Sequence, residues 1–247
     1  MRALCTAGVA AVLSASTQAQ AQALDQGREA LFARVEAAAK LGNTPALKYH
    51  LGMLLNNGIG TARDLPRAYA LFSEAAAAGD ALAAYKVGCY LAGQFPGVVS
   101  LDEDQALGFK QRAAEAGYDL AQHDVGKILL KRGDLAGGER WLELASRQGN
   151  LGATALLAWT VDKGDKDPVR ALGLMLVTQA GMKRTPAELS HRIAALKSRL
   201  DADDKQRAEI LQAGWVTGPT PLTQQARAGI RAVAPLLTQA PPTGLLH

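Results

Sequence analysis

One phrase recurs along the chain and constrains its fold more than any other feature. An alanine-rich run ends at a glycine, and a second small residue follows within the next run. The turn glycines lie at positions 42, 79, 117, 149 and 181, with spacings of 37, 38, 32 and 32. The second small residues are Gly52, Gly88, Gly126 and Ala158, spaced by 36, 38 and 32. Two markers that stay in step over four copies indicate a repeat array.

Composition indicates that each repeat is a pair of helices. The chain is 48% hydrophobic but only 5% aromatic, and its abundant alanine favours helices that approach one another closely. Few segments alternate β-branched or aromatic residues with a period of two, so strands are not expected. The sequence therefore predicts an all-α solenoid of about four helix pairs, in which Gly88 and its counterparts lie where paired helices touch.

The repeat divides the chain into segments. Residues 44–181 hold the four units, and the helical segments 24–43 and 182–215 are expected to cap the two ends. Prolines and glycines, which break helices, are frequent in residues 216–247. We expect a short helix over 222–233 there and otherwise disorder. Residues 1–23 precede the fold and are treated below.

Aspartates stand at the start of the second helix in several units. Asp64, Asp102 and Asp167 each lie four residues before a helical alanine. This shared context favours capping of orphan backbone N–H groups over acid catalysis. At the end of the N-terminal capping helix, Gly42 is expected to adopt the left-handed conformation that ends many helices.

The full phrase resembles the Sel-1-like repeat family. It has Leu/Val-Gly in the first helix, a glycine-bearing loop, Asp-x-x-x-Ala, and then Ala-Ala-x-x-Gly. The resemblance covers residues 31–181; the third unit lacks the usual loop, and the fourth has Ala158 in place of the glycine. It implies a right-handed α/α superhelix related to tetratricopeptide repeats. It also implies a protein-interaction scaffold, of a kind often exported in bacteria.

The N-terminus has the pattern of a bacterial secretory signal peptide. A basic start is followed by an uncharged, mostly apolar run to Ala15 and by small-x-small patterns that predict cleavage after Ala21 or Ala23. The alternative, a membrane anchor, needs about 20 apolar residues, more than this run provides. We therefore expect a protein that is periplasmic or secreted. Cys89 is then the only thiol of the mature chain, so no internal disulfide is expected.

Charge argues against a nucleic-acid partner. The formal net charge is +4; residues 24–181 carry 17 Lys/Arg against 18 Asp/Glu, and the residues from 182 onward carry 9 against 5. The excess is mild and forms no long basic run, so a solvated surface is expected. Five of these late cations, Arg192, Lys197, Arg199, Arg227 and Arg231, carry the alternative hypothesis of a cell-wall (peptidoglycan) binding or processing protein.

The resemblance to tetratricopeptide units implies that the first helix of each pair lines a concave face. Aromatic and polar residues at the positions −3, +1 and +4 from the small residue suit a peptide or helix of a partner protein in the cell envelope. A second interpretation is that the aromatic residues simply fill the core. The positions are Tyr49, Met53, Asn56, Tyr85, Cys89, Ala92, His123, Lys127, Leu130, Ala155, Trp159 and Asp162.

The sequence contains no motif of a common enzyme class. Gly-x-Ser-x-Gly, Ser-x-x-Lys, His-Glu-x-x-His and phosphate-cradling loops are absent. The four histidines, at positions 50, 123, 191 and 247, lack metal-ligand spacing. We therefore predict a scaffold without catalytic residues, metal or cofactor.

Overall fold

The computed structural model describes the backbone of residues 5–239 and the side chains of residues 20–238. This part of the chain is all-α, without a strand, and the predicted class of stacked helix pairs is confirmed. The helices are α1 (Cys5–Gly42), α2 (Pro45–Asn57), α3 (Leu65–Ala77), α4 (Ala81–Leu91), α5 (Glu103–Glu115), α6 (Asp119–Lys131), α7 (Leu135–Arg147), α8 (Leu151–Gly164), α9 (Pro168–Gly181), α10 (Ala187–Arg199), α11 (Ala202–Ala213), α12 (Pro221–Ala228) and α13 (Ala234–Gln239), with a 3₁₀ helix (Gly229–Val233) between the last two.

The chain forms two compact units. Of the described residues, 5–87, 95–99 and 229–239 form the first, and 88–94 and 100–228 form the second. The division falls within α4, which begins in the first unit and ends in the second. No helix in the described residues is long and apolar enough to cross a membrane.

Caps and turns form largely as the repeat pattern predicts. Asp64, Asp102 and Asp167 each accept a hydrogen bond from the backbone N–H three residues later, at 2.8 to 3.0 Å. The glycines at 79, 117 and 149 have positive φ. The prediction for Gly42 is wrong: it lies within α1, and Asn43 takes the left-handed conformation with φ 45°. Asparagine tolerates this region because its short side chain can hydrogen-bond locally.

In each repeat, the small residue of the first helix lies against the second helix of the same repeat. In the first unit, a Cβ on Gly52 would meet the Phe72 ring at 2.7 Å. In the second unit, a Cβ on Gly126 would meet Leu142 at 2.8 Å and the Gly138 carbonyl at 3.0 Å. A side chain at these positions would force the helices apart, since protein interiors are packed to crystal-like density. The glycines thus set the helix spacing that the repeat requires.

The first unit has its core between α1, α2 and α3. Val35, Leu54 and Phe72 are fully buried, and an ion pair between Arg67 and Glu36 joins α3 to α1. Residues 20–30 of α1 are exposed, and burial begins at residue 31. Because α1 begins at Cys5, the predicted cleavage sites lie inside this helix; residues 1–4 lie outside the described part of the chain.

His50 is buried in the first unit with a polar atom left unsatisfied. Its side chain is 3% exposed, its Nε2 has no hydrogen-bond partner, and the Tyr49 ring packs edge-on against it at 5.2 Å between centroids. Burial lowers the pKa of His50, because desolvation penalises the imidazolium. Folding therefore favours the neutral ring.

This burial predicts a loss of stability in mild acid. A lowered folded-state pKa leaves stability intact above the unfolded pKa of about 6.5 and removes it below, by up to about 1.4 kcal/mol per pH unit. Urea unfolding at pH 7.5 and pH 5.0 should show a smaller acid loss for His50→Leu than for the wild type. His191→Gln, at an exposed position, is the control. An equal acid loss in all three proteins would contradict the prediction.

The second unit has its core around α9. Leu172, Leu174 and Met175 are fully buried, in a cluster to which α7, α8, α10 and α11 contribute. The predicted fourth repeat is present as the pair α8 and α9, and Ala158 is 1% exposed at the position of the missing glycine.

The short helix predicted over 222–233 corresponds to α12 and the 3₁₀ helix, and α13 follows it where disorder was expected. Hydrogen bonds to distant parts of the chain hold residues 218–227. Thr223 is fully buried in the second unit and Val233 is 2% exposed in the first. The last eight residues, 240–247, lie outside the described part of the chain.

Candidate functional site

Several residues of the predicted concave face serve the core instead. Tyr49 and Asn56 are 8% and 5% exposed, and Met53 is half-buried. The Tyr49 ring also packs against Phe72, and burial together with the Asp80 carboxylate raises the pKa of Tyr49. These positions agree with the second interpretation, in which aromatic side chains fill the space between helices.

The second and third repeats divide their predicted positions between core and surface. Tyr85 is half-buried, Cys89 is buried and Ala92 is exposed. Leu130 is half-buried and packs against the core of the second unit. Contact between Leu130 and Gly138 explains why α7 carries glycine there, since a Cβ would lie 2.5 Å from the leucine side chain.

The fourth repeat uses its predicted positions internally. Trp159 packs against the core of the second unit, and Ala155 is half-buried. Asp162 is 9% exposed and accepts two hydrogen bonds of 2.6 Å from Arg192 of α10. This bidentate pair saturates the carboxylate. Asp162 thus fastens the helix that follows the repeats.

His123 and Lys127 face the surface on α6. His123 is half-buried, and Lys127 is exposed. Burial lowers the pKa of His123. The Lys127 ammonium lowers it further, whereas the Asp124 carboxylate raises it. Of the predicted positions, Lys127 carries the charged group that is most accessible to a partner.

Lys127 lines a cleft of about 460 Å³ in the second unit, which we call the Lys127 cleft. Ala106 and Ile128 give it apolar surface, and the nearly buried Lys110 pairs with Asp124 at 2.6 Å. Lys127 and Lys131 are exposed and form no ion pair within the described residues. The cleft therefore offers two unneutralised ammonium groups beside apolar surface. It is lined by Ala92, Glu103, Ala106, Lys110, Asp124, Lys127, Ile128, Lys131 and Arg132.

A larger cleft of about 940 Å³ occupies the corresponding place one repeat later in the second unit. In it, Arg170 pairs with Glu139 at 3.1 Å and with Glu143 at 3.0 Å, which joins α9 to α7. Arg140, Lys163 and Lys166 also line this cleft. Of these two clefts, only the Lys127 cleft is lined by a charged residue of the predicted concave face.

Sequence reasoning missed a second surface, formed by the turns between repeats in the second unit. We call Gly117, Asp119, Ser146, Arg147 and Gln148 the turn surface, and residues 216–228 the C-terminal segment that covers it. Periodicity did not reveal it, because the covering residues lie outside the repeats. The one local signal is a cluster of polar residues where the pattern expects apolar ones.

The Gly117 carbonyl is the centre of this surface. It accepts hydrogen bonds from Thr220 Oγ1 at 2.8 Å, Thr223 Oγ1 at 3.2 Å and Gln148 Nε2 at 2.8 Å. Gly117 has φ 93°, and a Cβ there would lie 3.2 Å from the Thr220 methyl group. Glycine is therefore needed both for the turn and for the close approach of the segment.

Asp119 and Gln148 hold the remainder of the segment. Arg227 donates to Asp119 Oδ2 at 2.8 Å and to the Gln148 carbonyl at 3.1 Å. The Thr220 N–H donates to Gln148 Oε1 at 3.0 Å, and the Asp119 N–H donates to Thr223 Oγ1 at 3.1 Å. Every one of these contacts joins parts of the chain at least 72 residues apart.

Trp215 fixes the start of the segment. Its Nε1 donates to Ser146 Oγ at 3.2 Å, and the Arg147 guanidinium lies 3.6 Å from its ring centroid. Its ring also packs against the core of the second unit. Three residues further on, a backbone hydrogen bond from Gly218 N to Arg147 O, of 2.9 Å, joins the chain to the turn surface.

Among the described residues, no group of three or more His, Cys, Asp or Glu side chains could hold a metal ion. Asp119 and Gln148 of the turn surface are paired with the segment, and Ser146 and Arg147 contact Trp215. The arrangement is suited to holding a peptide by hydrogen bonds.

Comparison with known proteins places the fold. The sequence model of the Sel1 repeat matches residues 45–80, 81–118 and 119–150, which are the first three predicted units; the fourth lies outside the match. A Sel1 repeat protein from Oxalobacter formigenes superposes with a TM-score of 0.55 and 22% identity, over 68% of this chain and 72% of that chain. A protective antigen of uropathogenic Escherichia coli with an SLR fold superposes with a TM-score of 0.30 and 15% identity, over 82% of this chain and 58% of that chain. No curated protein matches the chain.

Proposed function

Because the chain belongs to the Sel1-like repeat family, whose members generally mediate protein–protein interactions, we propose that it is an exported, non-enzymatic scaffold. Its partner is a protein or peptide of the bacterial cell envelope. The Lys127 cleft is the observation that carries this proposal.

The cleft selects the chemistry of the partner. Ammonium groups only donate hydrogen bonds, so Lys127 and Lys131 are suited to a carboxylate or to backbone carbonyls. The apolar surface of Ala106 and Ile128 beside them is suited to an aliphatic or aromatic side chain. A partner segment that carries an acidic residue next to an apolar one matches both features, and its charge would also speed association.

Export is supported by where packing begins. The predicted cleavage sites, after Ala21 and Ala23, lie within the exposed stretch 20–30. The buried residues of α1, Val35, Ala38 and Ala39, all follow them. Cleavage would therefore leave the core of the first unit intact.

The cell-wall alternative has weaker support. Arginines among its cations pair with aspartates: Arg192 with Asp162, Arg199 with Asp165 and Arg227 with Asp119. A paired guanidinium has less to offer an anionic polymer, because its own carboxylate competes for the same hydrogen bonds.

The test compares charge reversals in the tagged full chain expressed in its native host. With Lys127→Glu and Lys131→Glu together, we expect recovery of the crosslinked envelope partner to fall at least about tenfold, equivalent to about 1.4 kcal/mol. Lys183→Glu with Arg184→Glu is the matched control, since both residues are exposed. Mass spectrometry of the same samples should find an N-terminus at Gln22 or Leu24.

Equal losses in the two double variants would contradict the role of the cleft. Retention of Met1 on the isolated protein would contradict export. If the protein sediments with purified sacculi, and salt or the Lys197→Glu substitution abolishes this, the cell-wall function replaces the scaffold.

A further inference from the structure

We infer that the C-terminal segment is a displaceable internal ligand and that the turn surface beneath it docks a partner segment of similar chemistry. Such a partner presents a threonine at the start of a short helix, with a second hydroxyl and an arginine on the following turn. The inference rests on the proposed scaffold function and identifies a second surface for it.

The first argument is the chemistry of the covered surface. Asp119, Gln122 and Gln148 are 4%, 5% and 5% exposed, although these residue types are seldom buried. Gln122 Oε1 accepts from Gln148 Nε2 at 2.8 Å, which orients the glutamine towards the segment. Polar groups of this kind tolerate water when uncovered and can be satisfied again by a ligand.

The second argument is the way in which the segment is held. Its backbone N–H groups at Gly218 and Thr220 bond to the array, as those of a bound peptide would. Thr223 and Arg227 are four residues apart on α12, so they lie on one face of the helix. Recognition thus needs three spaced side chains and a short stretch of backbone, which another protein can supply.

The third argument is the small apolar area that holds the segment. Thr223 is the only buried residue of α12, and the Arg227 side chain is 48% exposed. Its partner Asp119 has a side chain only 6% exposed, so this carboxylate needs an arginine from the segment or from a partner that replaces the segment. Trp215, in contrast, packs on the core, whereas Val216 is 77% exposed and Gly218 has open space around its Cα. The weakly packed stretch therefore lies between two fixed ends, Trp215 and the buried Val233. Release is a local loosening of residues 216–228 between these ends.

Peptide binding to the full chain tests the inference. The probe is a fluorescent peptide with the sequence of residues 217–231, titrated by anisotropy. Thr223→Val with Arg227→Glu weakens the segment in the protein, and this variant should bind the probe at least about tenfold more tightly than the wild type, because the internal ligand no longer competes. Adding Asp119→Asn to the variant should abolish binding, and a probe carrying the same two changes as the segment should not bind.

Hydrogen exchange on the wild type gives a readout that does not depend on the variants folding. The amides of Gly218, Thr220 and Gln224 should exchange at least about tenfold faster than those of the buried part of α7, through local opening. Exchange as slow as in α7 would show a fixed cap and overturn the inference. Fast exchange would also overturn the inference if the probe did not bind the Thr223→Val, Arg227→Glu variant. If the probe fails while capture through Lys127 persists, this inference falls and the scaffold function stands.

Discussion

Replacing Gly88 by leucine is expected to lower the free energy of unfolding by about 3 kcal/mol, the upper part of the range for overpacked cores. A Cβ at this position would lie 2.8 Å from Lys110 Cγ and 2.9 Å from the Ala106 carbonyl oxygen. The lysine chain can shift, but a backbone carbonyl inside α5 cannot turn away without breaking its helical bond. The two helices must therefore separate, which also disturbs the Lys110–Asp124 pair.

Gly108 provides the control for this prediction. It lies within α5, and a Cβ there would meet nothing within 4 Å. Gly108→Leu should therefore raise stability by about 0.5–1 kcal/mol, since leucine has the higher helix propensity. Urea unfolding of both variants measures the difference directly. Equal shifts for the two leucine substitutions would show that Gly88 does not set the helix spacing.

Replacing Arg192 by alanine is expected to cost about 3 kcal/mol. The substitution leaves the Asp162 side chain, 8% exposed, without the two 2.6 Å hydrogen bonds that neutralise it. An unpaired buried carboxylate is costly because desolvation is no longer compensated. Asp162 also raises the pKa of Arg192 through its hydrogen bonds.

Arg199→Ala is the matched control, because it breaks another aspartate–arginine pair between residues of the same two parts of the chain. Arg199 and its partner Asp165 are 51% and 64% exposed, so the loss should stay below about 1 kcal/mol. Thermal and urea unfolding of both variants, together with the Asp162→Ala/Arg192→Ala double variant, complete the test. The double variant should recover part of the loss, since it removes the orphaned charge. Losses of equal size for Arg192→Ala and Arg199→Ala would contradict the role of burial.

The two predictions bear on function through the Lys127 cleft. Lys110 and Asp124 form part of its lining, and Gly88 supports Lys110 from below. A substitution at Gly88 would therefore distort the cleft as well as the core. For this reason the charge reversals at Lys127 and Lys131, which lie on the rim, are the cleaner test of binding.

The repeat phrase predicted most of the fold, because its signals are local. Asp64 caps a helix through the N–H three residues later, and Gly52 contacts a helix that follows within the same repeat. Such features depend on neighbours at fixed, short spacings, so a repeating sequence displays them repeatedly. Gly42 was mispredicted because an adjacent asparagine could take the same conformation.

The candidate site was predicted only in part. Counting from the small residue gave Tyr49, Lys127 and Asp162 the same kind of role. Tyr49 instead packs against Phe72, Asp162 is neutralised by an arginine 30 residues away, and Lys127 remains exposed. Periodicity predicts which helix face a residue occupies, whereas the residue's use depends on the side chains that meet it from other repeats.

By itself, the sequence determined the all-α class, the length of each repeat and the caps of its helices, because propensity and periodicity act over a few residues. Only the tertiary structure decided the fate of the C-terminal segment, whose proline- and glycine-rich composition predicts disorder. Its order comes from hydrogen bonds to Gly117 and Asp119 across 103 to 108 residues. A carbonyl left free by a turn has no signature in composition, so its partner becomes known only when the chain has folded.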